Sequence, residues 1–212
     1  MSALDRLFGR DTKFYDLLES GAAAAQASAT ELVRLLPRLD QDTSPDLLSD
    51  LSQCRRKHKR VGFDTTEALC KTFVTPLERE DIEALSSALY KISKNVEKIG
   101  ERLTLRPPDV TPGTLARQAA MLEKGAGLVM VMVGQLRHKS HGEVIKDSYE
   151  RLQAIEGEAD NVMNELLRDL YHGSGDPRVV VFLKDLYELL EKGIDRCRDA
   201  GYVVFHVALK YS

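Results

Sequence analysis

Apolar residues recur along the whole chain at steps of three and four, which is the spacing of one face of an α-helix. Aromatic residues make up only 6% of the sequence, and β-branched residues are scattered, so nothing in the pattern favours strands. The clearest stripe consists of Leu85, Ala88, Leu89, Ile92, Val96, Ile99 and Leu103. We therefore predict an all-α protein with helices over approximately 12–36, 45–73, 76–104, 112–137, 141–172 and 177–210.

Three positions carry residues that typically begin helices. Thr75–Glu78 has the order of a capping box, in which a Thr side chain, a Pro in the first turn and a nearby Glu satisfy free backbone N–H groups. Asp176-Pro177 and Thr111-Pro112 also place a capping residue directly before a proline. The sequence predicts side-chain caps at Thr75, Thr111 and Asp176.

A proline-rich stretch over 106–113 interrupts the helical pattern near the middle of the 212 residues. Shifting the sequence by 101 positions places Thr75 on Asp176, Pro76 on Pro177 and Gly100 on Gly201, without a gap. Such internal similarity is typical of a duplicated unit. We predict a single domain over 1–212, an elongated six-helix bundle made of two repeated three-helix halves, approximately 10–105 and 111–212.

Charge and cysteine content exclude several functional classes. The chain has 30 Lys and Arg against 33 Asp and Glu, a near balance that argues against a broad nucleic-acid surface. Its three cysteines lie far apart, which argues against a disulfide framework and fits a reducing cytoplasm. The longest uncharged apolar stretch, 125–136, is too short to span a membrane, and the first residues lack a signal-peptide pattern. We expect a soluble cytoplasmic protein.

Two pairs of acidic residues carry metal-binding potential. Glu156 and Asp160 are four residues apart in the fifth predicted helix, as are Glu191 and Asp195 in the sixth. Carboxylates at this spacing share a helix face and repel each other unless a cation lies between them. If the two faces meet, four oxygen-rich side chains converge on one metal site. Two further acids could complete the ligand shell, Asp185 and Glu188. The alternative is a solvated face whose acids pair with nearby bases.

The same 101-residue shift places bases or tyrosine at the first-half counterparts of these acids. Glu156 corresponds to Arg55, Asp160 to Lys59, Glu191 to Tyr90 and Asp195 to Lys94. Protonated bases cannot ligate a metal, so the first half cannot hold a carboxylate site of this kind. A candidate anion-binding patch instead consists of Arg55, Lys59, Lys91 and Lys94. The alternative is that these bases are exposed and pair with nearby acids.

Several phrases of the sequence resemble the PhoU-like proteins, in particular the branch associated with low-affinity phosphate permeases. They are Phe73–Ile82, Glu156–Asp160 and Lys184–Asp199. The resemblance covers nearly the whole chain and implies a six-helix pair of three-helix bundles. It further implies a role in phosphate transport through a permease or signalling protein at the membrane, a homodimer, and iron- or zinc-type metal at the acid pairs. Because the first half lacks the acids, we expect at most one metal cluster, in the second half.

Other candidate chemistry is weaker. His138 and His141 lie in a predicted loop, and Asp169 with His172 forms only half of the paired motif that a di-iron bundle requires. The sequence contains neither a phosphate-binding glycine loop nor a nucleophile elbow. We therefore predict a non-enzymatic regulator or accessory protein. A carboxylate-bridged metalloenzyme and a metal-free helical scaffold are the alternatives.

Overall fold

The computed structural model describes residues 3–39, 48–138 and 142–211, with side chains described from residue 12 onward. Within these ranges the chain forms six α-helices, which confirms the all-α prediction. A short 3₁₀ helix, Pro112–Leu115, precedes the fourth of them. The α-helices are α1 (Ala3–Arg38), α2 (Ser49–Lys71), α3 (Arg79–Leu103), α4 (Ala116–Gln135), α5 (Gly142–His172) and α6 (Pro177–Lys210).

The helices pack as two sets of three that meet along equivalent members. Helices α1, α2 and α3 contact one another, and so do α4, α5 and α6. The two sets are joined mainly where α1 packs on α4 and α3 packs on α6. The first and third helix of each set thus lie at the centre, while α2 and α5 flank them. This packing supports a duplicated three-helix unit; the repeat boundaries themselves stay a prediction.

The apolar stripe of α3 lies in the core, as the sequence predicts. All seven of its residues are buried, and Leu85, Leu89, Ile92, Val96 and Ile99 are 0% exposed. The corresponding stripe of α6 is buried against it, and the two stripes belong to one continuous apolar cluster built from all six helices. Burying each such side chain contributes about 1.5–3 kcal/mol, so packing between helices dominates the stability of the bundle.

Two glycines let the flanking helices approach the central ones closely. A β-carbon built on Gly100 of α3 would lie 2.6 Å from Cδ1 of Leu51 on α2, and one built on Gly201 of α6 would meet Cδ2 of Leu152 on α5 at still shorter range. The 101-residue shift relates Gly100 to Gly201 and Leu51 to Leu152. The same leucine-on-glycine contact therefore occurs at matching places in both halves.

One of the predicted helix caps is confirmed. The Asp176 carboxylate accepts a hydrogen bond from the Arg178 backbone N–H at 2.8 Å, with Pro177 as the first residue of α6. Thr111 forms no side-chain cap: its carbonyl accepts from the Thr114 N–H at 3.1 Å as the 3₁₀ helix begins.

The predicted cap at Thr75 is wrong. Helix α3 begins at Arg79, and the Thr75 hydroxyl donates to the Leu77 carbonyl at 2.7 Å because Leu77 folds into the core. The Tyr211 hydroxyl accepts from the Glu78 N–H at 2.6 Å, so a residue beyond the end of α6 satisfies this free donor.

Searching the described ranges for a membrane-spanning segment finds no helix that combines the necessary length and apolar character. The apolar centre of α4 is buried among α1, α5 and α6 instead.

The leucine-on-glycine contact predicts a position-specific loss of stability. Replacing Gly201→Val forces Leu152 out of its place, and overpacking of this kind costs about 1–3 kcal/mol. The matched control is Gly157→Val on α5, where an added β-carbon has no neighbour within 4 Å. Urea denaturation followed by circular dichroism measures both. Equal midpoints for the two variants would contradict the close approach.

Candidate functional site

The four predicted metal ligands of the second half lie on the packed pair α5 and α6. Glu156 and Asp195 are partly buried, with side chains 24% and 33% exposed. The pKa of Glu191 is raised, mainly by burial and further by the negative charges of Asp195, Asp160 and Glu156. The three other acids therefore lie near enough to Glu191 to raise its pKa, and their convergence on one metal site stays a prediction.

A guanidinium group lies among these acids. Arg198 Nη1 is 3.5 Å from Glu156 Oε1, and Nη2 forms an ion pair with Asp195 and lies 3.2 Å from Asp199 Oδ1. The Nε atom of Arg198 is buried and has no hydrogen-bond partner among the described residues. The Arg198 side chain is 36% exposed, so the arginine lies at the edge of the contact between α5 and α6 with only its inner nitrogen buried. It supplies one positive charge beside Glu156 and Asp195, one acid from each pair.

The two predicted supporting ligands lie elsewhere on α6. Asp185 Oδ2 is 3.6 Å from Arg102 Nη2 on α3, and Glu188 Oε1 is 2.5 Å from Lys184 Nζ. Both acids line a separate surface cleft together with Lys192. Their charges are therefore balanced by bases of their own, away from the group of four.

The donor set around Arg198 does not fit a metal ion with the guanidinium in this position. Across the described ranges, no three His, Cys, Asp or Glu side chains converge closely enough to hold an ion. A protonated guanidinium cannot act as a ligand, and it repels any cation placed beside it. The iron- or zinc-type cluster therefore stays a prediction.

Of the four predicted anion-binding bases of the first half, Arg55 is paired and the three lysines are exposed, and anion binding by the four stays a prediction. Arg55 forms an ion pair with Glu97 of α3, and its Nε donates to the Tyr90 hydroxyl at 3.4 Å. Lys59, Lys91 and Lys94 are exposed. Lys59 also lines a cleft between α2 and α3, together with Thr65, Thr66, Glu83, Ser86, Ser87 and Tyr90. Arg55 is thus paired with side chains of α3, whereas the three lysines lie on the surface.

The two ion pairs occupy matching positions with opposite polarity. Under the 101-residue shift Arg55 corresponds to Glu156, and Glu97 corresponds to Arg198. In the first half the base is on the flanking helix and the acid is on the central helix; in the second half the two are exchanged. The sequence analysis did not identify Glu97 or Arg198. Extending the 101-residue comparison by one helical turn on α3 and α6 would have shown that these two positions correspond and carry opposite charges.

A buried histidine in the first half was also missed. His58 of α2 is 1% exposed, and its Nδ1 lies 2.7 Å from Ser93 Oγ of α3, which accepts from Ser28 Oγ of α1 at 2.9 Å. Burial lowers the pKa of His58 from 6.5 to about 4, so the ring is neutral at pH 7. The matching positions of the second half are Val129, Ala159 and Ile194, so this polar link is particular to the first half.

The other histidine motifs of the sequence are exposed where the structure describes them. His138 is exposed near the end of α4, and His141 lies outside the described residues. Asp169 and His172 are both exposed at the end of α5.

Comparisons with known proteins agree on the fold. A PhoU-like protein from Shewanella oneidensis MR-1 superposes with a TM-score of 0.80 at 17% identity, over 93% of this chain and 99% of that one. A second structure from the same organism, a "putative PhoU-like phosphate regulatory protein", gives 0.77 at 18% identity with the same coverage. No family model matches the chain.

A curated relative links the sequence to a named role. The "Putative pit accessory protein" of Rhizobium meliloti (strain 1021) is 23% identical over 216 residues, which cover 97% of this chain and 96% of that protein. Together with the structural superpositions, this confirms the resemblance to the PhoU-like proteins. The chain has the PhoU-like fold.

The neutral His58 predicts a stability that falls in mild acid. The unfolded chain takes up a proton near pH 6.5, whereas the folded chain does so only near pH 4, so acid favours unfolding between these values. This difference between the two pKa values corresponds to a loss of about 3 kcal/mol in the free energy of unfolding. Urea denaturation from pH 7 to 4 measures the decline, and His58→Gln reduces it. The control is the exposed His172→Gln, which keeps the wild-type decline. Identical pH profiles for all three proteins would contradict the buried neutral state.

Proposed function

We propose that this chain is a non-enzymatic accessory or regulatory protein of inorganic phosphate transport, acting by contact with a membrane permease or signalling protein. The observation that carries the proposal is the end-to-end similarity to the pit accessory relative, which covers 97% of this chain and 96% of the relative. Likeness of this extent concerns the whole arrangement of helices and is not confined to one hairpin. The name of the second superposed structure points to the same kind of role.

The chemistry of the charged groups supports a role without turnover. Arg55 and Glu97 neutralise each other, and Arg198 forms ion pairs with Glu156 and Asp195. His58 is neutral and buried against Ser93. None of these groups is presented to a cleft as a free nucleophile or base. A carboxylate-bridged metalloenzyme would also need an open metal position, and here a guanidinium lies beside Glu156 and Asp195.

The contact surface proposed for the partner is the basic face of α2 and α3. Its exposed lysines are Lys59, Lys91 and Lys94, and the matching positions of the other half are Asp160, Lys192 and Asp195. The two halves therefore present different charge to a partner although their helices follow the same plan. A basic face favours an acidic cytoplasmic segment, since charge complementarity speeds association and fixes orientation.

The proposal also covers where the chain acts and how it assembles. We propose that the chain works on the cytoplasmic side, next to the membrane through its partner, and that it forms a homodimer. Light scattering on the purified protein measures the assembly independently of transport.

Removing the chain from its cell is expected to change the initial rate of phosphate uptake, and restoring the wild-type chain is expected to reverse the change. The double variant Lys59→Glu, Lys94→Glu is expected to bind the partner about tenfold more weakly, because two attractive charges become repulsive. Radiolabelled phosphate uptake and co-purification of the permease from solubilised membranes measure the two effects.

The matched control reverses two exposed lysines outside this face, Lys124→Glu with Lys146→Glu, and is expected to behave as wild type. Unchanged uptake without the chain, together with no retained permease, would contradict the proposal. Calorimetric titration with inorganic phosphate tests the anion-binding alternative on the same proteins. Equal affinity for phosphate in the wild type and the lysine variant would show that this face does not bind phosphate.

A further inference from the structure

We infer that the acidic cluster of the second half takes no metal ion in this chain, because the Arg198 guanidinium is its resident cation. The inference concerns the cleft between α5 and α6 and is independent of the proposed role in phosphate transport. It explains how two E-x-x-x-D pairs can face each other in a folded protein without the cation that their spacing leads one to expect.

The position of the guanidinium is the first support. Its two terminal nitrogens reach acids on both helices: Nη1 lies 3.5 Å from Glu156 Oε1 of α5, and Nη2 contacts Asp195 and Asp199 of α6. Its Nε atom is buried although the side chain as a whole is 36% exposed. Arg198 thus links an acid of α5 to acids of its own helix and places a positive charge between the two acid pairs.

The first half provides the second support. Arg55 and Glu97 correspond to Glu156 and Arg198 under the 101-residue shift, and they form the same interhelical ion pair with the charges exchanged. In that half, the positions that match the four acids of the second half hold no acidic residue. Each half therefore contains a base and an acid of its own at the place where its flanking helix meets its central helix. Neither half needs a metal ion to hold these helices together.

Coulomb's law explains why the guanidinium and a metal exclude each other. A divalent ion held by Glu156 and Asp195 would lie within a few ångströms of a positive charge, at a partly buried site where water screens weakly. Binding would require Arg198 to leave the cleft. Removing the arginine should therefore create affinity that the wild type lacks.

The experiment compares metal retention in four purified proteins: wild type, Arg198→Glu, Arg198→Met and Arg196→Glu. Each is stripped with chelator, incubated with Fe²⁺, Zn²⁺ or Mn²⁺, and passed through a desalting column before elemental analysis. The wild type is expected to retain less than about 0.1 ion per chain, and each Arg198 variant about one. Adding Asp160→Ala to either Arg198 variant is expected to abolish retention.

Arg196→Glu is the matched control. It reverses the charge of an arginine on the same helix, and that arginine pairs with Asp199 at 3.1 Å but not with Glu156. It is expected to retain as little metal as the wild type. Circular dichroism selects the variants that keep their helices, and Arg198→Met serves if the glutamate variant does not fold. Stoichiometric metal in the wild type that is lost in Asp160→Ala, Asp195→Ala would overturn the inference. So would a folded Arg198 variant that gains no metal.

Discussion

The contact between a leucine of the flanking helix and a glycine of the central helix sets the register of each half. Leu51 lies against Gly100, and Leu152 lies against Gly201. One turn along from these contacts, Arg55 faces Glu97 and Glu156 faces Arg198. Because a side chain on either glycine would meet the tip of the leucine, the glycines favour the register in which these charged residues meet. The ion pairs are a consequence of the packing register.

The same register carries opposite chemistry in the two halves. The base and the acid of the ion pair are exchanged between the halves. The first half has a buried histidine and two serines where the second half has apolar residues. It also has exposed lysines where the second half has Asp160 and Asp195. The ion pair and the exposed lysines lie beside the apolar core, whereas the polar link of His58, Ser93 and Ser28 lies within it. A duplicated fold can in this way keep its architecture while one face becomes suited to an acidic partner.

The sequence predicted what depends on periodicity along one helix. The six helices, the buried stripe of α3 and the Asp176 cap follow from local spacing, and all three are confirmed. The Thr75 cap failed because Leu77, buried in the core, and Tyr211, far along the chain, decide where α3 begins. Helical spacing brought the acids to one face and also places Arg198 within reach of Asp195, but the contact of Arg198 with Glu156 depends on how α5 packs against α6. His58 gave no signal, since a lone histidine on an apolar face has no distinguishing pattern.

The guanidinium of Arg198 takes the place that the acid pairs would otherwise offer to a metal ion. This can be tested with a crystal structure of the wild-type chain grown with excess Zn²⁺ and anomalous data collected at the zinc edge. We expect Arg198 density between Glu156 and Asp195 and no anomalous peak between α5 and α6. An anomalous peak bound by Glu156, Asp160, Glu191 and Asp195, with Arg198 turned towards solvent, would contradict it.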